Sequence, residues 1–444
     1  MHEDLATAID ALLPELRNDL EELIRIPSVS AAHFDSAEVR RSATKTAELL
    51  EKAGFDGVRL LEIEGAHPAV YGERPGPAGS PTVLLYAHHD VQPPGDEADW
   101  TVAPFEPMER DGRLYGRGSS DDKAGIIVHT GAVRSFGADL PVGVKVFVEG
   151  EEEIGSAHLE DFLTEYDDLL AADVIVIADS GNWRVGVPAL TTSLRGLVSV
   201  LVEVRTLENG VHSGMFGGVV PDALTTLARV LAGLHDDRGN VAVPGLVTGE
   251  AAELDLTEEE ARAQSGVLDS VELIGEGPIT TRLWMKPSIS VLAIDAPPLS
   301  EAINQLVPMA RAKVSMWIAP GQDSGLAMDA LVTHIEQQPA WGAEVTVTRH
   351  ESGEAFALSS LDPRVKAFRD AFASAWGQEP VEMGVGGSIP FVAAFSERFP
   401  DAAILLTGVA DPTSRAHGPD ESLDLEELRR GILGEAIALR NLAL

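Results

Sequence analysis

The stretch Tyr86-Ala87-His88-His89-Asp90-Val91-Gln92-Pro93 closes an apolar run with two imidazoles and a carboxylate. Imidazole nitrogen and carboxylate oxygen are the donors that bind zinc-like divalent ions, and a carboxylate beside a ligating histidine orients its ring and fixes its tautomer. Similar groups recur after other apolar runs. Asp121 and Asp122 sit in the Gly-rich turn "GRGSSDDKAG", Glu149 and Glu151 to Glu153 follow "VKVFV", Asp179 follows "VIVIA", and His417 lies in a loop after "ILLTG". Singly, a His-x-Asp pair reads as well as a packed or surface pair, and "EGEEE" as a solvated acidic run. Together, carboxylates gathered at one sheet edge repel one another unless cations neutralise them, and divalent ions do so by coordination. Two ions suit this many donors.

Those groups need strands that end together. The runs "GVRLLEI", "PAVYGE", "TVLLYAHHD", "VGVKVFVEG" and "DVIVIAD" alternate with helix-like segments such as "DDKAGIIVHTGAVRSF". "TVLLYA" and "VIVIA" are apolar without alternation, as strands covered on both faces are. The pattern predicts an α/β fold with a mostly parallel central sheet flanked by helices, whose ligand site lies outside the carboxyl ends of the strands. From about Pro188 the order becomes strand, helix, strand, helix, strand, which predicts an inserted α+β domain, with "GEAAELDLTEEEARAQ" as a solvated helical insertion. The expected divisions are a catalytic domain over 1–188 and 359–444, and an inserted domain over 189–358.

The composition narrows the function. At 444 residues the chain exceeds what one core usually serves, so two domains are expected. Lys and Arg number 33 against 71 Asp and Glu, a net charge of −38 that disfavours nucleic acid and anionic lipid as partners. The absence of cysteine excludes disulfides, a thiolate nucleophile and Cys-based zinc sites. The amino terminus is acidic, with Leu and Ile at helical spacing, and reads as an amphipathic helix rather than a secretory signal. No apolar run reaches the roughly 20 residues that span a bilayer, so a cytoplasmic protein without a membrane partner is expected.

The motifs "HHDVQP", "GRGSSDDKAG", "EGEEEIGS", "IADSGNW", "GVHSGMFGG", "GGSIP" and "SRAHGPDE" cover nearly the whole chain in order. In them the sequence resembles the di-zinc metallopeptidases that include carnosinases and other dipeptidases, aminoacylases, acetylornithine deacetylase and succinyl-diaminopimelate desuccinylase. The "DVQP" and "DDKAG" wording is most similar to the dipeptidase branch. The resemblance implies two divalent ions per subunit, zinc first and manganese or cobalt as alternatives. It implies Asp121 as a bridge, His88 and Asp179 completing one site, and Glu153 and His417 completing the other. Asp90 would orient His88, and Glu152 would act as general base. His212, commonly supplied by the partner in a dimer, would stabilise the oxyanion. Asn304, the residue at 317, Gly387 and Ser388 would contact substrate.

At 317 the sequence departs from these relatives, most of which carry an arginine there that grips a substrate carboxylate. Trp317 cannot supply that charge, so a more apolar pocket that tolerates blocked amides is expected. The implied activity is hydrolysis of a small peptide, with a dipeptidase foremost. An N-acyl-amino-acid deacylase is the alternative, and a binding protein that has lost catalysis is a third. The expected assembly is a homodimer formed through the inserted lid domain.

Overall fold

The computed structural model describes residues 2–249, 254–338, 340–358, 362–387 and 390–444. The chain divides into two compact units, one of Met1–Thr192, Leu358–Met383 and Pro390–Leu444, the other of Ser193–Ala357 and Gly384–Ile389. The return of Gly384–Ile389 to the second unit has no sequence signal, because it is set by contacts distant along the chain.

In the first unit the strands run, in spatial order, Asp56–Leu61, Ala69–Arg74, Gly143–Glu149, Thr82–His88, Val174–Ile177, Ala403–Leu406 and Ala189–Leu194. The four central strands are parallel to one another, and the outer pairings are antiparallel. This is the mostly parallel α/β sheet that the apolar runs predict. Side chains alternate across a strand, so Val83, Leu85 and Ala87 enter the main core with helices Glu3–Ile24, Lys123–Arg134 and Leu425–Asn441. Tyr86 points the other way, into an aromatic cluster with Phe147, Phe391 and Phe395, stacking on Phe391 at 4.1 Å. Each buried Val, Leu or Phe side chain here stabilises by about 1.5–3 kcal/mol, and a one-residue slip would invert the whole strand's side chains. His88 is therefore delivered to one face and His89 to the other.

Helix Lys123–Arg134 carries a buried polar pair. His129 Nδ1 lies 2.8 Å from Glu435 Oε2, and its Nε2 donates to Tyr86 O at 2.9 Å. Burial alone would lower the His129 pKa, but the Glu435 carboxylate overrides it and holds the ring above the free value of 6.5. A histidine raised in the folded state adds stability that is complete below its unfolded pKa and is lost as pH rises through the folded one. Glu435→Gln should therefore cost about 3–5 kcal/mol below about pH 6 and progressively less at alkaline pH. Urea unfolding of parent and variant across pH measures this; a penalty that grows with pH would contradict it.

The second unit is a four-stranded antiparallel sheet ordered Ser288–Asp295, Met309–Ile318, Gly196–Arg205 and Glu344–Gly353. Helices Ala223–Ala232 and Ser324–Glu336 pack on one face, burying Val198, Val200, Val202, Val204, Val314 and Met316. The sequence pattern accounts for three of these strands. The fourth, Ser288–Asp295, is an edge strand whose last six residues are exposed, and it lacks the in-out alternation that marks a half-buried strand. The acidic insertion forms helix Glu258–Ser265, started by a capping box between Thr257 and Glu260; residues 250–253 of that stretch lie outside those described. Among the described residues no helix is long and apolar enough to cross a membrane.

Candidate metal centre

The carboxyl ends of three central strands converge on one cluster. His88 terminates Thr82–His88, Glu152 and Glu153 open the turn after Gly143–Glu149, and Asp179 follows Val174–Ile177. Asp121 enters from the turn before helix Lys123–Arg134, where the Asp121–Asp122 peptide is cis. His417 enters from the late loop. Asp121 faces both histidines, with Oδ1 at 3.1 Å from His88 Nε2 and Oδ2 at 3.0 Å from His417 Nε2. His417 Nε2 also lies 3.1 Å from Glu153 Oε2. Donor atoms of His88, Asp121 and Glu153 lie within 4.8 Å of one another, and so do those of His88, Glu152 and Asp179. Glu152 Oε2 stands 4.0 Å from His88 Nε2.

The orienting groups lie just behind. Asp90 is fully buried; its Oδ1 is 3.4 Å from His88 Nδ1, and its two oxygens accept from Glu152 N at 3.2 Å and Glu153 N at 3.1 Å. One carboxylate thus sets a histidine and the turn bearing both glutamates. Gln92, within the first motif, donates to Glu153 Oε1 through its backbone at 3.1 Å and to Oε2 through its side chain at 2.9 Å. Asp122 Oδ2 accepts from His88 N at 3.3 Å. A Cβ on Gly125 would fall 2.5 Å from Asp122 Oδ1, so that position admits only glycine without a shift. His89, on the opposite face, is buried and donates to Pro68 O at 2.9 Å. Burial pushes its pKa down to about 4, with the Asp90 charge only partly opposing.

The electrostatics call for cations. Burial pushes Glu152 up to about 9, with Asp179 and Glu153 adding to the rise and His88 opposing it. Burial likewise pushes Asp179 up to about 7, with Asp121 and Glu153 reinforcing it against His88. Asp121 moves the other way: burial would raise it, but hydrogen bonds from His417 and His88 hold it well below the usual carboxylate range. Burial would also lower His88, yet Asp121 and Asp90 raise it well above 6.5. Such opposed shifts mark carboxylates packed closer than their charges tolerate alone. Two imidazoles and four carboxylates, without a thiolate, form a donor set that fits two divalent ions.

The remaining predicted contact residues lie in the second unit. His212 is exposed, pairs with Gln305 across a short ladder and accepts from Gly214 N at Nδ1, 3.1 Å away. Asn304 is adjacent, its carbonyl accepting from Ser213 N at 3.0 Å. Trp317 is half-buried between Leu197 and Ser288, and the guanidinium of Arg195 stands 5.6 Å from its ring centre. Arg195 was not anticipated from sequence. Its Nε donates to Gly386 O at 2.7 Å and its Nη1 to Ser288 Oγ at 2.8 Å. No carboxylate pairs with it among the described residues, and burial lowers its pKa to about 10. Gly387, next to Gly386 in sequence, is half-buried, whereas Ser388 lies outside the described residues.

The family model for peptidase family M20/M25/M40 matches residues 84–438. The chain belongs to that family. It is accordingly a metal-dependent hydrolase, and its His and carboxylate cluster fits two metal ions. The chain is 36% identical over 438 residues to a cysteinylglycine-S-conjugate dipeptidase of Corynebacterium striatum, covering 96% of this chain and 95% of that one. It is 29% identical over 416 residues to a beta-Ala-His dipeptidase of Rattus norvegicus, covering 87% and 80%. The structure of human carnosine dipeptidase 1 superposes with a TM-score of 0.79 at 26% identity, covering 99% and 98%.

Proposed function

We propose that the protein is a dipeptidase that uses two zinc ions to hydrolyse the peptide bond of small unblocked peptides. The observation that carries this is Asp121, whose two oxygens face different histidines at 3.1 and 3.0 Å, with Glu152 alongside. Asp121 would be shared by the two ions, His88 and Asp179 would hold one, and Glu153 and His417 would hold the other. When bound, the ions supply the positive charge that brings Glu152 into its carboxylate form, polarises the scissile carbonyl and acidifies an attacking water.

The chain's own groups do the rest. Glu152 takes the proton of the attacking water at its carboxylate and passes it to the departing amine nitrogen. Asp90 keeps the His88 ring in the tautomer that leaves Nε2 free for a ligand. His212 accepts at Nδ1 from Gly214 N, which leaves its Nε2–H as a donor for the carbonyl oxygen as that atom gains charge. Asn304 stands on the same pair of loops. A cytoplasmic homodimer would present His212 to the partner. The exposed Val291, Leu292 and Ile294 on edge strand Ser288–Asp295 support such pairing, and a chain without cysteine needs no oxidising compartment.

Arg195 revises the reading of Trp317. A guanidinium with no carboxylate partner among the described residues, beside that ring and bonded to Gly386, supports recognition of a free substrate carboxylate by Arg195, with Gly387 next to Gly386 in sequence, in place of an apolar site. The test is a panel of an unblocked dipeptide, its C-terminal amide and an N-acyl amino acid, before and after chelation. The expected result is chelator-sensitive cleavage with the free dipeptide preferred over its amide by about 10–100-fold, as loss of a charged hydrogen bond implies. Cleavage of the N-acyl amino acid alone would make the protein a deacylase, and no cleavage of any member by the metal-loaded protein would make it a binding protein.

A further inference from the structure

His88 and His417 are held in different ways. His88 ends a core strand, is fully buried and has a carboxylate behind its Nδ1. His417 exposes 57% of its side chain and lies in a loop where Arg415, His417 and Asp420 all have positive φ, at 56°, 64° and 58°. Residues other than glycine hold that conformation only where their surroundings over-determine it.

A buried ion pair does so. Glu421 accepts five donors: Arg117 Nη1 at 2.7 Å, Gly118 N at 3.0 Å, Ser120 N at 2.9 Å, Ser120 Oγ at 3.1 Å and Asp121 N at 3.2 Å. The other arm of the same guanidinium, Nη2, donates to His417 O at 3.1 Å and to Pro93 O at 3.3 Å. Both side chains are buried, at 1% and 0% exposure. Glu421 thus closes the turn that carries Asp121, Arg117 pins the loop that carries His417, and Pro93 ties in the segment that follows His88. A buried ion pair is weak evidence for stability, because apolar residues of similar volume often serve as well. Its geometry accounts for it better: a planar fork with separate donors can hold two loops in register, which a point charge cannot.

We propose that Arg117 and Glu421 are positioning residues for the metal centre, setting the spacing of Asp121 and His417 and hence the affinity of the ion these two share with Glu153. This rests on the ligand assignment above. The experiment is titration of metal-stripped full-length protein with Co²⁺, followed by visible absorption, and with Zn²⁺ by calorimetry. Two variants are compared with the parent. Arg117→Met combined with Glu421→Gln removes both charges and leaves neither buried alone. Arg117→Lys keeps the pair with Glu421 but cannot also reach His417 O, and it decides the matter if the double variant does not fold.

The expected result is that one ion binds within about twofold of the parent affinity while the other weakens about 10–100-fold, the usual effect of removing a group that orients a ligand. Two ions bound as tightly as in the parent, or both weakened alike, would overturn the proposal. A parent that fails to bind two ions would instead overturn the ligand assignment, and this inference with it.

Discussion

A Glu152→Gln enzyme takes up two metal ions and hydrolyses dipeptide about 10²–10⁴-fold more slowly than the parent, the range for loss of a general acid–base group. The amide keeps the shape of the side chain 4.0 Å from His88 but can neither take a proton from water nor hand one to the leaving amine. Because burial and three neighbouring carboxylates already disfavour the Glu152 charge, replacing it with a neutral group relieves repulsion in the metal-free protein and is expected to leave it folded. Metal content by elemental analysis and kcat on one dipeptide measure the two halves separately. Undiminished turnover would remove Glu152 from the mechanism; loss of an ion would make it a ligand, as its place with His88 and Asp179 within 4.8 Å allows.

Asp121→Ala is expected to be more severe. The parent side chain offers one oxygen toward each histidine, so if it bridges the ions as proposed, its removal would take a donor from both at once and leave His88 and His417 without the group between them. Loss of one or both ions and of at least about 10³-fold in kcat/KM follows if the ions supply the charge stabilisation usual in such sites. His88→Ala, by contrast, would on the same assignment empty one side alone. Elemental analysis after dialysis, with dipeptide hydrolysis at added metal, checks this. Two firmly bound ions in Asp121→Ala would exclude it as the bridge.

How far the site is readable from sequence differs residue by residue. His88, Asp121, Glu152, Glu153 and Asp179 are legible because each follows an apolar run or a Gly-rich turn, and parallel strands place such ends on one edge. His417 is less so: its loop has three positive-φ residues that are not glycine, and no composition rule marks such a loop. Gln92, Arg117 and Glu421 lie inside the motifs yet carry no signal of their contacts, because hydrogen bonds across 61 residues for Gln92 and 300 or more for Arg117 leave no local trace. Arg195 is similar. In sequence it is a cation between Leu194 and Gly196; only in the fold does it lie against Trp317 and Gly386, with no carboxylate partner among the described residues.

The strand Ser288–Asp295 shows the same limit for the fold. Its pairing with Met309–Ile318 is decided by a partner strand, and its exposed residues remove the burial pattern by which strands are recognised. The sequence by itself determined the class of chemistry, through which donors exist and which strand ends carry them, since residue type and periodicity are local properties. The tertiary structure alone decided which donors lie within reach of one another, which buried ion pair ties the turn of Asp121 to the loop of His417 and which buried cation has no carboxylate partner among the described residues, because those depend on distances between segments that only packing brings together.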